Sequence, residues 1–400
     1  MPRLPLLRLP SPNPVAVPKG NFGGTKIRFP STGRQKHEFG PLFNRLRDVL
    51  SHDNGDVQLR SDPSSLAPDR VIVFEIAGTI TNFLKAVARI EGLEFMAEYE
   101  SDFAADEHFA VKDDRKGRVG NDRTDKSVPG RFYLAMPDVR ALEELLRLWE
   151  RWRNGDPLAR GFAPFTHLFK QLHALRPWGP QDRIPDETVT FWREEIVRNP
   201  DLPVRTEVEL WYRNSQASRR DVSQKLQAMV SESGGRIVHE SVIGDIAYHG
   251  MLIDIPARDV QNLMAERTVK IALADDVMFL RPQSLLRGPL EIEPEADESL
   301  ATVGAPPPAG RPVAALLDGV PVQAHALLAG RLVLDDADNL QSRALVSRRI
   351  HGTAMASLIM HGDRNENGSA LPHPLYVRPL MLANEHFEHT DGERLLIDTL

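Results

Sequence analysis

Val313-Ala314-Ala315-Leu316-Leu317-Asp318-Gly319-Val320 is an apolar run that closes on an acid and a glycine. Consecutive apolar residues ending this way have the composition of a central parallel strand covered by helices on both faces. In such sheets the carboxyl ends of the strands open on the crevice where ligands bind, so Asp318 stands at the rim of a site. By itself an Asp-Gly pair after a strand is a turn signal. A second segment adds to it: His351-Gly352-Thr353-Ala354-Met355-Ala356-Ser357. From Ala354 to Met360 every residue is apolar or small, which predicts a buried helix rather than an amphipathic one. A histidine at its N-terminal end meets the positive end of the helix dipole, which opposes protonation and suits a neutral general base. Gly352 leaves room for a close approach of backbone or substrate. The plainer reading makes His351 a capping residue and Thr353 a stabiliser of the first turn.

Outward from these segments the chain changes character. Glu291 to Pro312 carries Pro294, Pro306, Pro307, Pro308 and Pro312 among several acids, and residues 286–312 read as a Pro-rich linker. Upstream, Val71 to Ile76 predicts a strand, and Phe83, Leu84, Val87 and Ile90 mark a helix face. Leu93 to Tyr99 and Arg131 to Met136 are further strands, followed by a helix bearing Val139, Leu142, Leu145, Leu146 and Trp149. The intervening polar stretch, Asp102 to Lys126, is too charged to bury and reads as a mobile excursion.

A second unit repeats the order, with strands at Thr206 to Tyr212, Arg236 to Ser241, Ala247 to Ile255 and Val277 to Leu280. Its helices run over Ser218 to Val230 and around Val260, Leu263 and Met264. Phe132-Tyr133-Leu134-Ala135-Met136-Pro137, then Val139 and Leu142, parallels Met251-Leu252-Ile253-Asp254-Ile255-Pro256, then Val260 and Leu263. Two α+β modules of the ferredoxin-like split βαβ type follow, at residues 70–155 and 205–285, unless strand-Pro-helix is only a common local grammar. Residues 1–69 read as a Pro/Gly-rich arm with one helical stretch from Phe39 to Leu50. Residues 156–204, with Phe162, Phe165, Phe169 and Trp178, read as a helical connecting segment.

The totals narrow the function classes. A chain of 400 residues is long enough for two or three domains. A formal charge of -7 gives no basic footprint for nucleic acid or anionic membrane. With Cys 0 there is no disulfide, thiolate metal site or cysteine nucleophile, so a nucleophile would have to be a hydroxyl. No apolar run is long enough to span a bilayer, the N-terminus makes a poor signal peptide, and a cytoplasmic location is expected.

Taken together, the Asp318 and His351 segments resemble those of the subtilisin-like serine peptidases, or subtilases, in which an apolar strand ends in Asp-Gly or Asp-Ser-Gly and His-Gly-Thr opens a buried helix some thirty residues on. Here Asp318 and His351 stand 33 residues apart. Asp318, Gly319, His351, Gly352, Thr353 and Ala356 are kept, and Met355 stands where the family usually has valine. His325-Ala326-Leu327-Leu328 is similar to the family's His-Pro-x-Leu turn, with Ala326 for proline. The likeness covers about residues 312–400, and Gly352 to Ala356 fits the histidine segment better than a serine segment with alanine at the nucleophile.

The resemblance implies a partial α/β parallel-sheet domain over 313–400 and an endopeptidase acting on polypeptides without a cofactor. His351 would be the general base and Asp318 its orienter, with the serine and an oxyanion asparagine beyond residue 400. No serine segment occurs in these residues, so they are expected to be inactive alone. Subtilase prosegments share the ferredoxin-like fold, cover the cleft and assist folding, which makes 205–285 prosegment-like. Residues 1–200 read equally as a surface for a protein partner. The alternative class is a non-catalytic binding or regulatory protein that keeps a degenerate protease fragment.

Weaker signals read as structure. Asp363 to Gly368 opens like a calcium loop, but Pro374 stands where a bidentate glutamate is required. Asp335, Asp336 and Asp338 read as a solvated loop, and His37, His239 and His249 lack metal-ligand spacing.

Overall fold

The chain adopts a mixed α and β architecture in a computed structural model that describes residues 26–52, 54–112, 122–266, 269–283, 287–289, 307–362, 369–383 and 387–400. It begins with β1 (Ile27–Arg28), α1 (Thr32–Leu50) and α2 (Gly55–Ser61). Ser31 starts α1, its hydroxyl accepting the Arg34 N–H, so the helix begins well before Phe39. Pro41 sits inside it and removes one backbone donor without ending it. Phe39, Phe43 and Leu46 enter the first core, with Phe43 stacked on Trp149 at 4.4 Å between ring centres. The Gln35 side-chain amide donates to the carbonyls of Phe169 (2.9 Å) and Leu172 (2.8 Å). This part of the expected arm is therefore packed into the protein. Residues 1–25 lie outside the described residues.

Next come β2 (Ile72–Ala77), α3 (Phe83–Val87), β3 (Leu93–Phe103), β4 (Ala110–Lys112), β5 (Asp122–Arg123) and β6 (Val128–Pro137). They are followed by α4 (Val139–Asn154), α5 (Ala163–Gln171) and β7 (Leu172–Pro177). The antiparallel order is β3-β6-β2-β7. Three expectations need correction. Leu84 is 49% exposed, because the helix turns Phe83, Ala86, Val87 and Ile90 inward and leaves Leu84 off that face. The polar excursion holds β4 and β5, which pair with each other, β4 also with β1, beside a fully buried Phe109; of its residues, 113–121 lie outside the described set. The connecting segment contributes β7, an edge strand whose position tolerates Pro177.

After two helices, α6 (Pro180–Arg183) and α7 (Asp186–Arg198), the second unit runs β8 (Val204–Leu210), α8 (Gln216–Glu232), β9 (Arg236–Ile243) and β10 (Tyr248–Ile255). It ends with α9 (Ala257–Glu266), α10 (Lys270–Leu273) and β11 (Val277–Pro282). Its antiparallel order, β11-β8-β10-β9, repeats the first sheet's: fourth strand, first, third, second. Every residue of β10 is buried, because alternate side chains enter two cores. Met251, Ile253 and Ile255 meet the helices, while Tyr248 and Leu252 meet Leu395 and Ile397. Trp178 ties the two units, lying 5.6 Å from both Trp211 and Phe279. Arg183, 2% exposed, donates to the carbonyls of Trp178, Ala272 and Val277.

The last sheet combines β12 (Arg287–Pro289), β13 (Ala315–Gly319), β14 (Leu332–Leu334), β15 (Leu375–Ala383) and β16 (Phe387–Thr390). Strands β13 and β14 both pair in parallel with β15, and β16 pairs antiparallel with its far half. Strand β12 extends the sheet by pairing with β16, so the stretch read as linker contains a strand; residues 290–306 of it lie outside the described set. Two helices, α11 (Leu340–Arg343) and α12 (Ile350–His361), complete the unit. Here too the sequence reading is corrected. Strand β13 covers one face only: Leu316 is buried and Leu317 is 45% exposed. Helix α12, apolar all round, buries a single stripe of Gly352, Ala356 and Met360. Leu396–Asp398 forms a 3₁₀ turn after the last strand. Among the described residues no helix is long and apolar enough to cross a membrane.

Arg183→Met keeps the length of the side chain but strands three buried carbonyls. It should lower stability by about 3 kcal/mol or more in urea denaturation, and an unchanged midpoint would show that those carbonyls find other donors.

Candidate active site

The geometry at the rim of the last sheet follows from two glycines. A Cβ on Gly352 would stand 2.2 Å from the Gly319 carbonyl oxygen, so only glycine lets α12 press its first turn on the end of β13. Thr353 fixes the same contact, its hydroxyl donating to the Arg349 carbonyl and accepting from the Val322 N–H at 2.9 Å. The strand end and the helix start are thus bound to each other, and their side chains meet. Asp318 Oδ1 lies 2.8 Å from His351 Nδ1. The same oxygen accepts the Gly319 N–H at 2.6 Å, which fixes the carboxylate.

A carboxylate accepts, so this contact assigns the ring hydrogen to Nδ1 and leaves the Nε2 lone pair unprotonated. Among the described residues Nε2 makes no hydrogen bond, and the His351 side chain is 21% exposed against 7% for Asp318. The imidazole is therefore held from its buried side and open on the other. The structure thus brings together the two residues singled out in the sequence.

A third group was not legible. Glu388, on β16, is 2% exposed and brings Oε2 to 3.8 Å from His351 Nδ1. Gly319 makes room for it: a Cβ there would overlap the Glu388 carboxyl at 2.2 Å. Burial and then the charge of Asp318 push the Glu388 carboxyl up to about 7, against the opposing pull of His351. No motif marks it, and an acid in Phe387-Glu388-His389-Thr390 looks like the polar half of an edge strand.

The acids of the 335–338 loop and His249 have other partners. Asp336 caps the N–H groups of Leu340 and Gln341, Asp338 pairs with Arg394, and Asp335 accepts from Tyr376 Oη, which agrees with a polar loop. The calcium-like residues Asp363 to Gly368 lie outside the described set. His249 is fully buried, and its Nε2 lies 3.0 Å from Glu240 and 3.3 Å from Ser223. Acid and hydroxyl there share one ring nitrogen and, among the described residues, Nδ1 has no partner, so the cluster gives no relay from a hydroxyl through the ring to an acid.

Known protein-family models give no match to the chain, and the curated proteins give no significant one. The functional reading therefore rests on the site itself.

Two outcomes test the site. Gly352→Ala should cost about 1–3 kcal/mol by forcing α12 off β13; a urea midpoint equal to the parent's would mean that the helix is not seated there. For Glu388, a pKa raised from 4.5 to about 7 means that the native state keeps a proton the unfolded chain has released. Its stabilising contribution is present below pH 4.5 and is lost as pH rises through about 7. The stability difference between the parent and Glu388→Gln should therefore shift against the parent across that window, whereas a flat difference would place the carboxyl in water.

Proposed function

We propose that residues 313–400 are the aspartate and histidine part of a subtilisin-like serine endopeptidase, working with a serine that lies outside these 400 residues. The observation that carries the reading is the 2.8 Å contact of His351 Nδ1 with Asp318 at the carboxyl rim of parallel strands, with Nε2 left open. In this reaction His351 Nε2 takes the proton of the serine hydroxyl as its oxygen attacks the peptide carbonyl carbon. Asp318 stabilises the resulting imidazolium, and the proton then passes to the departing amine. The developing oxyanion would need donors from the same outside polypeptide. Substrates are polypeptides, no cofactor enters the reaction, and the expected compartment is the cytoplasm.

The two antiparallel units fit the ferredoxin-like split βαβ type, supported by their common strand order. The second has the position of a prosegment, and its contact with the last sheet's unit supports that role. Leu252 and Tyr248 cover Leu395 and Ile397, and Arg205 bridges Asp254 and Glu393. A module held this way would brace the site's sheet during folding. Residues 1–200 would serve as the surface for a protein partner. The second reading, a non-catalytic docking protein, draws on the apolar surface of Leu317, Leu345 and Val346, each at least 45% exposed.

The discriminating experiment is fluorophosphonate labelling of the full polypeptide as its own gene expresses it. The protease reading expects a labelled serine, labelling lost in His351→Ala, and turnover lowered by about 10⁴ in Asp318→Asn. Labelling that survives His351→Ala, or none in the parent, favours the docking protein.

A further inference from the structure

The relay reading uses Asp318 and His351 and leaves Glu388 without a task, although that carboxyl is among the most deeply buried acids of the described residues. Among the described residues its Oε2 makes no hydrogen bond, although the His351 backbone N–H lies by the carboxyl. A buried carboxylate oxygen left unpaired is costly, and such an atom usually marks an ion, a water or a function. The oxygen is aimed at the other two groups: one donor atom each from Asp318, His351 and Glu388 lies within 4.8 Å of the others. The geometry is built rather than incidental, because Gly319 is what lets the third carboxyl in.

We propose that Asp318, His351 and Glu388 form a binding site for a divalent transition metal, with Zn²⁺ preferred to Ca²⁺ and Mg²⁺. One imidazole nitrogen and two carboxylate oxygens suit a small ion that accepts mixed nitrogen and oxygen donors at short distance. Ca²⁺ and Mg²⁺ are hard ions that favour shells of oxygen alone, and one of these three donors is an imidazole nitrogen. A fourth position stays open for water, as in other sites with three protein ligands. Modest movement suffices: the 2.8 Å pair must open and the 3.8 Å pair must close slightly to surround an ion at about 2.1 Å from each donor.

Occupancy also has a consequence for the base. The ion takes Nδ1, so the neutral ring carries its single hydrogen on Nε2, and no lone pair remains to accept a proton from a hydroxyl. The metal-bound form is a blocked base. That consequence rests on the protease reading, but the binding itself does not.

The test uses the 400-residue chain, freed of metal and of any affinity tag, titrated calorimetrically with Zn²⁺ and by visible absorption with Co²⁺. With 13 histidines in the chain, the variants rather than the bare stoichiometry locate the site. The expected result is one tight equivalent in the parent, affinity weaker by at least about tenfold in Glu388→Gln and in His351→Ala, and no displacement by excess Mg²⁺ or Ca²⁺. His249→Ala should bind as the parent does. Circular dichroism of each variant excludes loss of fold, and Glu388→Gln keeps the shape of the side chain. Absence of a tight equivalent, or one that neither Glu388→Gln nor His351→Ala weakens, overturns the site. Serine labelling is a separate readout, so the failure of either reading leaves the other standing.

Discussion

The contact of α12 on β13 through two glycines is the constraint on which the site depends. The first turn of the helix meets the carbonyl of Gly319 at a distance no side chain would allow. Close packing of this kind leaves almost no freedom for the residues beside it, and His351 and Asp318 are those residues. Thr353 and the Gly319 N–H then fix the helix start and the carboxylate by hydrogen bonds. The Asp318–His351 contact is thus a product of backbone proximity.

The same rim carries an imbalance of charge. Two carboxyls and one imidazole share a nearly dry space, and two adjacent negative charges there repel strongly. Glu388 relieves the repulsion by holding a proton up to about pH 7. The same imbalance would be met by a cation, which is why an unpaired oxygen and a small polar cluster carry more meaning here than on an open surface. Away from the rim the structure is conventional: two sheets with a shared strand order, bridged by Trp178 and Arg183, and a third sheet held against the second unit.

The two motif residues were legible in the sequence because their chemistry depends on local backbone. Asp-Gly at a strand end and His-Gly-Thr at a helix start announce themselves within a few positions. Most strands were legible for a similar reason, since β8 alternates buried and half-buried residues along its length. What failed was whatever depends on neighbours far along the chain. β7 is short and pairs only at an edge, α1 runs through a proline because its face is buried, and the apolar composition of β13 and α12 overstated how much of each is covered. Glu388 reaches the site through β15 and β16, so nothing within its own segment could reveal it. The family resemblance rests on the same two motifs and stops with them.

The most direct measurement is nitrogen and proton NMR of the metal-free chain labelled with ¹⁵N-histidine. The account predicts that His351 carries its hydrogen on Nδ1, with a strongly deshielded proton signal that disappears in Asp318→Asn, and an unprotonated Nε2. A neutral ring protonated at Nε2, or an Nδ1 proton indifferent to Asp318, would contradict it.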